Sequence, residues 1–123
     1  MQLGQLIIMV DMSKPNHYDK DIKTQWINEI EFKVIDQIFN KAIGNNIEYK
    51  PYKYDENSEK ELLIPDQFID VYVNYLSAKI DFLNAEFERY NSNAALFQAS
   101  FDDFAAWYRR KNIPKPAPTI SPL

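Results

Sequence analysis

From Ile80 onward the apolar positions Ile80, Leu83, Phe87, Tyr90, Ala94, Phe97, Phe101, Phe104 and Tyr108 follow at steps of 3, 4, 3, 4, 3, 4, 3 and 4. That is the period of one helical face, and Ile69, Tyr72 and Leu76 carry it towards the N-terminus. No glycine or proline lies between Asp66 and Asn112, so no residue type there forces the backbone out of helix. Pro65 supplies a start, and Asp66 favours the positive end of the helix dipole. Asn91-Ser92-Asn93 is the weak point, poor in helix propensity and able to cap a new helix. The apolar phase nevertheless runs through it from Tyr90 to Ala94. The spacing therefore favours a continuous or gently bent helix over 66–111, with two helices meeting in a sharp turn near Asn91–Asn93 as the alternative. Unbroken, the helix would span roughly 65–70 Å. That is longer than a domain of this size is wide, so part of its apolar face would need cover from another molecule.

The rest of the chain is read by the same rule. Leu3, Leu6, Ile7 and Val10 predict a short amphipathic helix over 2–12, with a strand as the lesser option because of the pair Ile7-Ile8. Ser13-Lys14-Pro15-Asn16 breaks it. Asp19 is a suitable N-cap for a second helix over about 19–43, in which Ile22, Trp26, Ile30, Val34 and Ile38 recur every four residues. Gly44 stands where a left-handed residue would end that helix. Residues 47–64 alternate in a strand-like way, but Pro51 bars a central strand, so a loose hairpin and an extended arm both fit. Pro114, Pro116, Pro118 and Pro122 predict an extended tail. The expected architecture is mainly α: one helical domain over 1–111 and a tail over 112–123.

Composition narrows the classes of function. Two glycines disfavour a turn-rich all-β fold, and the lack of cysteine excludes a disulfide scaffold, a thiolate zinc site and a cysteine nucleophile. The longest apolar run, Leu6 to Val10, falls far short of the roughly 18 residues of a membrane span. It also lacks the basic leader and cleavage site of a signal peptide. The net charge of −4 divides unevenly, with +4 on residues 109–123 and −8 on the remainder. An acidic body argues against nucleic acid as the main ligand.

Candidate chemistry is sparse. His17 is the only histidine, with no thiol to join it in a metal site. The carboxylate pairs Glu29 with Glu31, Glu86 with Glu88 and Asp102 with Asp103 are two apart or adjacent, so their members diverge on a helix and read as solvated faces. No phosphate loop, nucleophile elbow or dinucleotide fingerprint occurs. No catalytic residue, metal ligand or cofactor is therefore assigned. A polar line of Asp81, Asn84, Glu88 and Asn91, at steps of 3, 4 and 3, reads as solvent-facing or as a hydrogen-bonding seam that sets register between subunits. The aromatic run ending in Trp107 and Tyr108 reads as core or, with Arg109 and Arg110, as a docking face. The tail carries Ile113, Pro114, Pro116, Ile120 and Leu123, which suit a peptide lying in a partner's groove as well as a disordered end.

The residues Ile64-Pro65-Asp66, Tyr72, Tyr75-Leu76, Ala78-Lys79-Ile80-Asp81, Asn84, Glu86, Arg89-Tyr90-Asn91, Phe97, Asp103-Phe104-Ala105 and Trp107-Tyr108-Arg109 resemble small virion proteins of tailed double-stranded DNA phages of Gram-positive hosts. Lys14-Pro15-Asn16 and Trp26 extend the likeness over most of the chain, strongest over 62–111. At Arg110-Lys111-Asn112 the chain departs from the pattern, where an asparagine and a histidine are more usual. The resemblance implies a head–tail connector, an adaptor or head-completion subunit located in the virion neck and made in the host cytoplasm. It implies a homo-oligomeric ring, commonly a dodecamer, that binds the portal protein and other neck and tail proteins. DNA would pass through without specific binding, and no membrane is involved. A generic helical adaptor or scaffold of a bacterial complex is the alternative, and a carboxylate-based hydrolase a more distant one.

Overall fold

The computed structural model describes residues 1–116. It is mainly α-helical: α1 Leu3–Ser13, α2 Lys20–Gln37, the single turn α3 Tyr54–Asn57, α4 Asp70–Leu83 and the long α5 Phe87–Lys111. No strand forms among the described residues, only isolated bridges between Gln2 and Glu61 and between Ala42 and Pro114. The early segment is a helix, since Leu3, Leu6, Ile7 and Val10 share one buried face at helical spacing. Asp19 caps α2 by accepting the Asp21 N–H at 3.1 Å. The helix ends earlier than its apolar spacing predicts, tightening into a 3-10 turn at Phe39–Lys41 before Gly44 adopts φ +85°. Ile22 lies off the buried face and is exposed, whereas Trp26, Ile27, Ile30 and Val34 enter the core.

Residues 45–65 form an extended arm with one helical turn and not a hairpin. Its second half pairs with the chain's start: Leu3 donates its N–H to the Lys60 carbonyl at 3.0 Å, and Leu62 donates to the Met1 carbonyl at 3.0 Å. Gly4 permits this approach, because a Cβ there would meet the Ser58 carbonyl oxygen at 3.1 Å. The first half is held by α2. The Asn28 amide donates to the Tyr52 carbonyl at 3.0 Å and accepts the Tyr52 N–H at 2.8 Å, standing in for a neighbouring strand.

The continuous helix over 66–111 does not form. It breaks at Asn84-Ala85-Glu86 and doubles back, so α4 and α5 make an antiparallel hairpin. The break is a Schellman turn, with the Glu86 N–H reaching the Asp81 carbonyl at 2.9 Å and the Ala85 N–H reaching the Phe82 carbonyl at 3.1 Å. Ala85 takes the left-handed position at φ 57°. Asn91-Ser92-Asn93 lies inside α5 and does not break it, because Asn93 spends its amide across the hairpin on Asp81 at 2.6 Å. The aromatics of the long stretch mostly turn inward. Phe97, Phe101 and Phe104 pack with Tyr72, Leu76 and Ile80 of α4 and with the buried faces of α1 and α2. Where α5 outruns α4, Phe39 and Phe68 cover Phe104, with ring centroids 6.3 and 5.3 Å away.

Candidate interaction surface

Folding the stretch back leaves its turn uncovered. Phe82, Leu83 and Phe87 are 53%, 52% and 57% exposed at the tip of the α4–α5 hairpin. They are held rather than loose: the Phe82 ring meets Phe87 edge-on at 6.1 Å and Tyr90 at 5.3 Å. Behind the tip an apolar groove opens between the two helices, lined by Tyr75, Ala78, Phe82, Tyr90, Ala94 and Phe97, with Lys79 at its rim. Glu29 of α2 accepts the Tyr75 hydroxyl at 2.5 Å and pairs with Lys79 at 3.3 Å, which fixes the groove's polar edge. Burial and the Glu29 carboxylate push the Tyr75 hydroxyl well above its usual pKa, so it stays a donor.

The four polar residues read as one seam are not on one helix, because the break at Asn84–Glu86 separates them. Asp81 is fully buried within the protomer. Its Oδ1 lies against the Lys14 ammonium as an ion pair off the hydrogen-bonding direction, and its Oδ2 accepts from Asn93. In the closed protomer both contacts are made within the chain, to α5 and to the loop after α1. Asn84 accepts the Tyr18 hydroxyl at 2.6 Å, tying the turn to the loop after α1. Glu88 and Asn91 are exposed on the first turns of α5.

At the other end of α5, Trp107 and Tyr108 are half-buried. Tyr108 stacks on Phe39 at 4.7 Å, Trp107 packs on Phe68 at 5.3 Å, and the Lys111 ammonium lies 5.2 Å over the Trp107 ring. Arg109 and Arg110 are exposed. The tail begins pinned to its own protomer: Ile43 donates to the Ile113 carbonyl at 2.7 Å, and Lys115 donates its N–H to the Lys41 carbonyl at 2.6 Å. Between these contacts Pro114 bridges Ala42. Ile113 is 73% exposed and Pro114 is exposed, so their side chains point away from the fold while their backbone is held; Pro116 is exposed too. Ile120 and Leu123 lie outside the described residues.

One buried polar cluster escapes a pattern reading that takes Glu29 and Glu31 as a solvated pair. Glu31 is fully buried. It accepts the Tyr52 hydroxyl at 2.9 Å, the Tyr72 hydroxyl at 3.0 Å and the Leu63 N–H at 3.1 Å, so it joins α2, the arm and α4. Desolvation raises its pKa, partly opposed by those three donors. Burial and the nearby Glu31 carboxyl raise both tyrosines, so they remain protonated donors. The signal was present as Lys23, Ile27, Glu31 and Ile35 at steps of four, a charged pair inside an apolar row.

No protein-family model, curated protein or solved structure matches the chain. Among the described residues no helix is long and apolar enough to cross a membrane.

Proposed function

We propose that this protein is a structural subunit, a head–tail connector of a tailed double-stranded DNA phage that assembles at the portal vertex and links capsid to tail. The reading rests on the resemblance of residues 62–111 to such virion proteins. The observation that carries it furthest is the hairpin tip, where three large apolar side chains, Phe82, Leu83 and Phe87, stand together about half exposed. The opposite end adds the exposed cations Arg109 and Arg110 to an otherwise acidic chain, which suits head-to-tail contact between copies or with a portal. The test is size-exclusion chromatography with light scattering, the protein alone and mixed with the portal of the same phage. A co-eluting complex of defined mass is expected. Failure to associate with its own portal or neck proteins overturns the proposal.

A further inference from the structure

The turn between α4 and α5 combines three features that do not belong to an ordinary helix hairpin. Its left-handed position is held by Ala85 at φ 57°, the single non-glycine residue with positive φ among the described residues. An L side chain is strained there, and the same residue is among the best helix formers. The turn residues Asn84-Ala85-Glu86 include no glycine or proline, and the apolar phase Ile80, Leu83, Phe87, Tyr90 runs across the break unchanged. The members of that row nearest the break, Leu83 and Phe87, are the ones left about half exposed by the closed hairpin. Local preference for helix through the turn thus opposes the tertiary packing that bends it.

We propose that the hairpin opens about Asn84–Glu86 and that two copies exchange α5, forming a dimer in which each chain carries one helix from α4 through α5. The occupant of each vacated α4 face is then the α5 of a second copy. Every contact between α5 and its protomer is remade between chains, including Asn93 to Asp81 and Tyr108 to Asn45. Only the hinge changes: Ala85 returns to a helical conformation, and Leu83 and Phe87 become i, i+4 neighbours on one face. The two joined helices cross near this point about a two-fold axis, so each stripe is covered by its own copy. Short, strained hinges are where such exchange is favoured. The inference is independent of the connector reading.

The chain has no cysteine, which makes the exchange directly readable. Asn74 of α4 and Ser100 of α5 meet at 3.3 Å across the hairpin. In an Asn74→Cys/Ser100→Cys protein, a closed monomer oxidises within the chain and an exchanged dimer oxidises between chains. The double variant is refolded across a wide concentration range with the native hinge, with Ala85→Val and with Ala85→Gly. The native and Ala85→Val hinges are expected to give, at high concentration, dimers linked across chains. Because each dimer has two hinges, Ala85→Gly is expected to raise the dimer dissociation constant by on the order of tenfold or more. Dimers whose disulfides lie only within chains, or monomers at every concentration with every hinge that folds, overturn the proposal. If Ala85→Val fails to fold, the native and Ala85→Gly hinges decide between the same outcomes.

Discussion

Lys23, Ile27, Glu31 and Ile35 recur every four residues along α2, so the apolar members carry two charged ones into the core. Lys23 stays buried and pairs its ammonium with Asp11 at 2.6 Å, a partly exposed residue near the end of α1. Glu31 is too short to reach solvent and is satisfied where it lies by two tyrosines and a backbone N–H. Its unfolded carboxyl titrates near 4.5, and burial places the folded value higher. The folded state therefore holds the extra proton between those values. Stability from this group is complete below pH 4.5 and is lost as pH rises through the folded value. Glu31→Gln removes that proton while keeping the shape. Its melting temperature, measured from pH 4 to 8, should gain on wild type as pH rises, since all other titrating groups are shared. Parallel profiles would show that Glu31 does not titrate differently in the fold. Glu31→Ala instead strands three donors, one of them the fully buried Tyr72 hydroxyl, and should cost about 2–4 kcal/mol in denaturant unfolding at neutral pH.

Helices α1 and α2 were legible because their apolar positions sit at helical spacing between clear stops, Asp19 and Ser13-Lys14-Pro15 among them. The long C-terminal helix was legible in its type and its end, but not in its beginning. Nothing local distinguishes Leu83-Asn84-Ala85-Glu86 from helix, and the polar triplet that does look like a break is recruited by a buried aspartate one helix away. Tertiary partners made both decisions: Tyr18 holds Asn84, and Lys14 with Asn93 holds Asp81. The arm over 45–65 was legible as irregular, whereas its pairing with residues 1–4 required the position of α1. The strain at the turn predicts its own remedy within the monomer. Ala85→Gly relieves the left-handed backbone and should stabilise the closed protomer by about 0.5–1.5 kcal/mol in urea unfolding at low protein concentration. A destabilised variant would mean that Ala85 is not strained where it sits.

At the scale of the whole molecule, the chain turns much of its long apolar face inward within one protomer, and the proposed docking draws on two exposed regions: the hairpin tip and the end that carries Arg109, Arg110 and the start of the tail. Backbone bonds from Ile113 and Lys115 to Ile43 and Lys41 clamp the start of the tail to the fold. The chain can be shortened to remove that clamp. Ending it at Lys111 should keep the helical signal but lose about 1–3 kcal/mol, because two backbone bonds and the Lys115 contact to Asn45 go with it. The tip can be tested without touching that clamp. Leu83 and Phe87 are 52% and 57% exposed, so Leu83→Lys/Phe87→Lys removes an apolar surface that contributes little to the monomer, and stability should change by about 1 kcal/mol or less. A docking role requires much more of these side chains, since large apolar residues near an interface centre each carry about 1–3 kcal/mol of binding. The double variant should therefore remain folded by circular dichroism and yet fail to co-elute with the portal at concentrations where wild type does. Undiminished association would move the docking surface to the basic end, where Arg109→Glu/Arg110→Glu would then have to abolish it.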